Sequence, residues 1–112
     1  MEVTQDGLAF VTSGVSYPPM SGQYHAYLVE KNIKGRVYLF DFKKPKLGAR
    51  SLNIRQSKAF DPETFHPHGI SMLEDKVKGN HLLYVVNHVK GGNDRVEKFR
   101  FLPASLELEH VR

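Results

Sequence analysis

Leu82-Leu83-Tyr84-Val85-Val86-Asn87-His88 is an apolar run of strand length that ends on an amide and an imidazole. An uninterrupted run bounded by turn residues reads as a strand buried on both faces, although so short a run does not by itself exclude a buried helix segment. The neighbouring segments have the same character. Gly7 to Thr12 is a short apolar run closed by Ser13-Gly14, and Arg36 to Phe42 is rich in β-branched and aromatic residues. Arg95 to Leu102 interleaves Val96, Phe99, Phe101 and Leu102 with charges, and Leu106 to Val111 begins as an alternation of leucine and glutamate. Between them lie the reversals Lys78-Gly79-Asn80, Gly91-Gly92-Asn93-Asp94 and Leu102-Pro103-Ala104-Ser105. Closely spaced strands with tight turns and no convincing helix predict an all-β meander: a sandwich, a barrel or propeller blades. The apolar set suffices for about six or seven strands, which still leaves one face and two edges to be covered.

At 112 residues the chain is one ordinary domain or part of a larger one. With 40% hydrophobic and 25% charged residues it has a globular balance, so disorder is not expected. The net charge of +4 allows an acidic partner, but the only dense basic cluster, Lys43, Lys44 and Lys46, surrounds Pro45 after an apolar run. That arrangement reads as a solvated turn, and no nucleic-acid-binding motif accompanies it. The absence of cysteine removes disulfides and thiolate chemistry and leaves the redox compartment open. The N-terminal residues do not form a signal peptide, no apolar stretch approaches the roughly 20 residues of a spanning helix, and no glycosylation sequon occurs.

Phe65-His66-Pro67-His68-Gly69-Ile70-Ser71 is the second informative stretch. Proline stiffens the backbone just before His68 and glycine frees it just after, so the imidazole is aimed. Both this segment and the one ending in His88 place a histidine at the end of an apolar run, where a sheet delivers reactive groups to its rim. The segment Val15 to Tyr27, with Tyr17, Pro18, Pro19, Met20 and Gly22, carries no period and reads as a long loop of the kind that is often functional.

The strings Asp6-Gly-Leu-Ala-Phe-Val-Thr-Ser-Gly14, Tyr17-Pro18, Phe65-His-Pro-His-Gly-Ile-Ser71, Leu82-Leu-Tyr-Val-Val-Asn-His88 and Val96-Glu-Lys-Phe-Arg-Phe101 run in order over nearly the whole chain. Together they resemble the N-terminal part of the serum paraoxonase/arylesterase family. The resemblance implies a six-bladed β-propeller with two calcium ions in its tunnel. It also implies a calcium-dependent hydrolase of lactones and aryl esters, promiscuous toward organophosphates. The chain corresponds to about the first third of such a protein, so residues 1–112 are expected to form a single partial propeller segment of less than two blades. Residue by residue, His68 corresponds to the family's general base and His88 to its partner. Ile70 corresponds to a position whose backbone carbonyl contacts the structural calcium, and Tyr17 to an aromatic in a loop over the active site. The family's acidic pair would fall just before Met1, and the asparagine and aspartate ligands of the catalytic calcium beyond Arg112. Its disulfide and hydrophobic N-terminal anchor, the route to a lipid or lipoprotein surface, are also absent here. The family context is extracellular or on secretory-pathway membranes.

Two departures bear on the site. His66 stands where the resemblance leads one to expect asparagine, which would place an additional imidazole near the pocket, and residues 23–34 are hard to align with the family, which weakens the Tyr17 assignment. In the implied chemistry calcium stabilises the oxyanion, while His68, as an imidazole able to accept a proton near neutral pH, activates water and His88 relays the proton or fixes the tautomer. A histidine at a strand end is ordinarily just exposed or hydrogen-bonded, and that reading is kept for His25, His81 and His110. Phe99 and Phe101 read as core, and Asp41 as a turn acceptor. Two alternatives remain: a zinc-dependent esterase using His66, His68 and His88, with the two first histidines on one face of a strand, and an inactive β-rich segment that binds remaining propeller blades or nothing.

Overall fold

A computed structural model describes residues 1–14, 35–55, 57–89 and 94–111, and it is all-β in two sheets. The first contains β1 (Glu2–Val3), β2 (Leu8–Ser13), β3 (Arg36–Asp41) and β4 (Arg50–Ser51), antiparallel and in chain order. The second contains β5 (Asn53–Arg55), β6 (Pro67–Leu73), β7 (Leu82–Asn87), β8 (Arg95–Leu102) and β9 (Glu107–Val111), in the order β5-β9-β8-β7-β6. The run from β6 to β9 is an antiparallel meander, and β5 joins its outer edge in parallel with β9. The sheets do not close into a barrel, and the two-residue edges of the first keep it short of a full blade. Two open sheets of this kind are consistent with part of a propeller.

Alternation explains the packing. In β8, Glu97, Phe99 and Phe101 are buried while Lys98, Arg100 and Leu102 are only partly so, which puts one face of the strand inward. Phe10, Val37 and Leu39 of the first sheet meet Leu83, Val85, Phe99, Phe101 and Leu108 of the second in one core, joined by Leu52, Phe60 and Phe65 from the connections. Phe10 meets Phe101 edge-on with ring centroids 5.1 Å apart, and Phe65 meets Phe99 at 5.6 Å. Leu52, the single residue between β4 and β5, is buried and donates its N–H to the Val37 carbonyl at 2.9 Å, so the chain changes sheet without leaving the core.

Two sequence expectations need adjustment. The Leu82 to Val86 run is not equally buried on its two faces: Leu83, Val85 and Asn87 are buried and Leu82, Tyr84 and Val86 half-buried. The last strand begins at Glu107 rather than Leu106, because Leu106 has φ 55° and closes the preceding turn in a left-handed conformation. Strands β1, β4 and β5 are too short to show a period. Pro45–Leu47 and Pro62–Thr64 form single 3₁₀ turns, the latter capped by Asp61 Oδ1 accepting the Glu63 N–H at 2.9 Å. The lysine cluster flanking the first of these turns is exposed, as expected. Among the described residues no helix is long and apolar enough to cross a membrane.

Candidate functional site

His68 lies on β6, an edge strand of the second sheet, at an irregularity in the ladder. Pro67 pairs with Asn87 and Ile70 with Val85, so His68 and Gly69 together oppose Val86. This extra residue is a β-bulge, and a bulge re-aims the side chain it carries. His88 follows the last residue of the adjacent strand β7. The bulge and the strand end bring the two rings together, with His68 Nδ1 3.2 Å from His88 Nε2 and ring centroids 5.3 Å apart. The other nitrogen of His88, Nδ1, is 3.0 Å from Asp94 Oδ1. His88 is largely enclosed, whereas His68 and Asp94 are exposed.

The backbone under this pair is pinned from several sides. The Thr12 hydroxyl on β2 donates to the His68 carbonyl. The His88 N–H donates to the His66 carbonyl at 3.1 Å, and the His66 N–H donates to Asn87 Oδ1 at 2.8 Å. Asn87 is fully buried, and its Nδ2 donates to Glu97 Oε2 at 2.9 Å. Glu97 in turn faces His110 Nε2 at 3.2 Å and Arg95 Nη2 at 3.8 Å. Both partners of Asn87 fix its amide the same way round, since a backbone N–H needs the oxygen and a carboxylate needs the amide N–H. The first sheet approaches this segment through glycines. Gly35 donates its N–H to the Phe65 carbonyl at 3.2 Å, and a Cβ there would lie 2.3 Å from Pro67 Cδ and 2.4 Å from that carbonyl oxygen.

The structure therefore unites His68 and His88, and places Ile70 in β6 opposite Val85. Tyr17, His25 and the loop from Val15 to Tyr27 fall outside the described residues. His66 does not share a strand face with His68: it precedes β6 and is buried, while the bulge turns His68 out to solvent. That separation corrects the zinc triad, and among the described residues no three His, Asp or Glu side chains group as a metal site. The calcium ions implied by the resemblance meet the same test, because hard cations need several oxygens converging on one point. The described residues do not fit a calcium site by themselves.

His81 and His110 are structural. His81 Nδ1 accepts the Asp75 N–H at 3.0 Å and its ring stacks parallel to Phe101, while His110 packs on Phe60 and Phe99. Phe99 and Phe101 are fully buried, and Asp41 Oδ1 accepts the Lys43 N–H at 2.9 Å, a turn role. Sequence reading passed over Asn87, Glu97 and Asp94. Asn87 did leave a signal, an amide closing an apolar strand, but Glu97 looks like any charge on an alternating strand and Asp94 like any turn residue.

The family model described as Arylesterase matches residues 1–112, the whole chain. Over those 112 residues the chain is 34% identical to serum paraoxonase/arylesterase 1 of Homo sapiens. It is 35% identical to serum paraoxonase/lactonase 3 of Mus musculus and 37% identical to the Homo sapiens lactonase 3. Each comparison covers 100% of this chain but 29% of the relative, so the chain spans less than a third of the length of these proteins. With the collinear His68 and His88 strings, two open β-sheets and a family match from the first residue to the last, the chain belongs to the arylesterase family.

Proposed function

We propose that this chain is the dyad-bearing segment of a hydrolase of lactones and aryl esters, with His68 as general base and His88 as its partner. The observation that carries the reading is the 3.2 Å approach of His68 Nδ1 to His88 Nε2. When His68 donates its Nδ1–H to His88, its Nε2 keeps the lone pair and can take a proton from water. The resulting hydroxide adds to the acyl carbon, the ester C–O bond breaks, and the proton returns to the alkoxide or phenoxide. The products are a carboxylic acid and an alcohol or phenol. Calcium is the proposed cofactor of the whole protein, with the Ile70 carbonyl as one ligand. Tyr17 is proposed as a substrate contact, and an extracellular or secretory-membrane setting agrees with relatives named for serum.

A second reading, a β-rich segment inactive alone, is favoured for the isolated 112-residue chain by the lack of a grouped metal-ligand set among the described residues. Phenyl acetate and a medium-chain lactone separate the two. The isolated chain is expected at background. In the longest natural chain that carries this segment, His68→Gln should lower lactone kcat about 10²-fold and His88→Gln by less. Wild-type turnover by a folded His68→Gln variant would remove the base assignment.

A further inference from the structure

The dyad by itself leaves its proton order undetermined. Two neutral imidazoles joined through Nδ1 of one and Nε2 of the other can hold the shared proton on either ring. With the proton on His68 Nδ1, the outward Nε2 of His68 is a base. With the proton on His88 Nε2, His68 accepts at Nδ1 and carries its own proton on Nε2, where it cannot abstract another. Only one order serves the function proposed above, on which this inference rests.

We propose that Asp94 is the positioning residue that sets this order. Its carboxylate oxygen lies 3.0 Å from His88 Nδ1, the nitrogen not used in the dyad. An ionised carboxylate accepts and cannot donate, so it holds the His88 proton on Nδ1. A neutral His88 then has only a lone pair on Nε2, and the contact with His68 at 3.2 Å can form only if His68 donates from Nδ1. The chain Asp94, His88, His68 therefore runs in one direction and ends on a bare His68 Nε2. His88 is enclosed, with 17% of its side chain exposed, so little water competes for its Nδ1. Asp94 stands at the mouth of β8, one residue before Arg95, and thus couples the third strand of the meander to a dyad built on the first two.

The test reads imidazole tautomers directly by long-range ¹H–¹⁵N correlation spectra of the 112-residue chain, at a pH of about 8 where unperturbed histidines are neutral. The wild type should carry the proton on Nδ1 of both His88 and His68. Asp94→Asn can present its amide N–H to His88 Nδ1, so both rings should switch to the Nε2–H form. Asp94→Ala should give a mixture, and Asp94→Glu should restore the wild-type pattern. An Nε2–H tautomer at His88 in the wild type, or unchanged spectra in both Asp94→Asn and Asp94→Ala, would overturn the inference. Asp94 is exposed, so these variants should fold, and unchanged chemical shifts of the buried Phe99 and Phe101 verify it. In the longest natural chain the Asp94→Asn lactone kcat should fall about tenfold to a hundredfold at constant KM. A rise in KM accompanying the fall in kcat would point instead to a damaged substrate pocket and count against the proposal. The spectra judge Asp94 and the His68→Gln kinetics judge the hydrolase reading, so either can fail while the other stands.

Discussion

Asn87→Ala is expected to damage this protein more than any loss of a surface charge, and the magnitude follows from its two bonds. The substitution strands the His66 N–H, now 2.8 Å from Asn87 Oδ1, in a buried setting, at a cost of about 1–3 kcal/mol. It also removes the 2.9 Å bond to the carboxylate of Glu97, a residue only 7% exposed, and a bond to a charged group contributes about 1.5–3 kcal/mol. A total loss of about 3–5 kcal/mol is a large part of the roughly 5–15 kcal/mol that holds an ordinary domain together. Urea denaturation at neutral pH should show it as a lowered midpoint at unchanged slope. Asn87→Asp supplies a stricter test. The new carboxylate still accepts the His66 N–H but sets a second negative charge against Glu97, so the variant should be unstable at neutral pH and regain stability as acid protonates the pair. Adding Glu97→Gln should rescue it at neutral pH, because an amide can then donate to the carboxylate at position 87. If Asn87→Ala and Asn87→Asp both stay within about 0.5 kcal/mol of wild type, or the double variant is no better than Asn87→Asp, the network is not what anchors this end of β7.

The remaining expectations concern the glycine approach and the acid limb of stability. Gly35→Ala forces a Cβ into Pro67 Cδ and the Phe65 carbonyl and should cost about 1–3 kcal/mol or more, whereas Gly69→Ala meets only Val86 Cγ2 at 3.6 Å and should cost about 0.5 kcal/mol; equal urea midpoints would contradict the close approach. The Lys78 and Val77 N–H groups hold the Asp75 carboxyl below its ordinary value of 3.8, so its stabilisation is present above about pH 4 and is lost as pH falls through the lower folded value. Asp75→Asn should therefore flatten the fall of melting temperature as the pH drops below about 4, and an unchanged acid slope would show that this turn contributes nothing.

The two histidines illustrate what is legible in residue order. Strand character at Leu8–Ser13, Arg36–Asp41, Leu82–Asn87 and Arg95–Leu102 follows from local β-propensity and turn chemistry, which act within a few residues and so survive in the sequence. The aiming of His68 between proline and glycine is local in the same sense, and the family strings carried the pairing with His88. The tertiary structure decided what depends on partners far along the chain. A bulge exists only relative to the strand it faces, so no reading of Pro67 to Ile70 alone separates buried His66 from exposed His68. Strands of two or three residues, β1, β4 and β5, are held by ladder bonds to longer neighbours rather than by their own periodicity. Glu97 and Asp94 take their roles from Asn87 and His88, residues at the end of the neighbouring strand, and Gly35 from a carbonyl thirty positions later. Charge and hydrogen bonding act through space over a few ångströms, and which groups come that close is settled by how the two sheets pack.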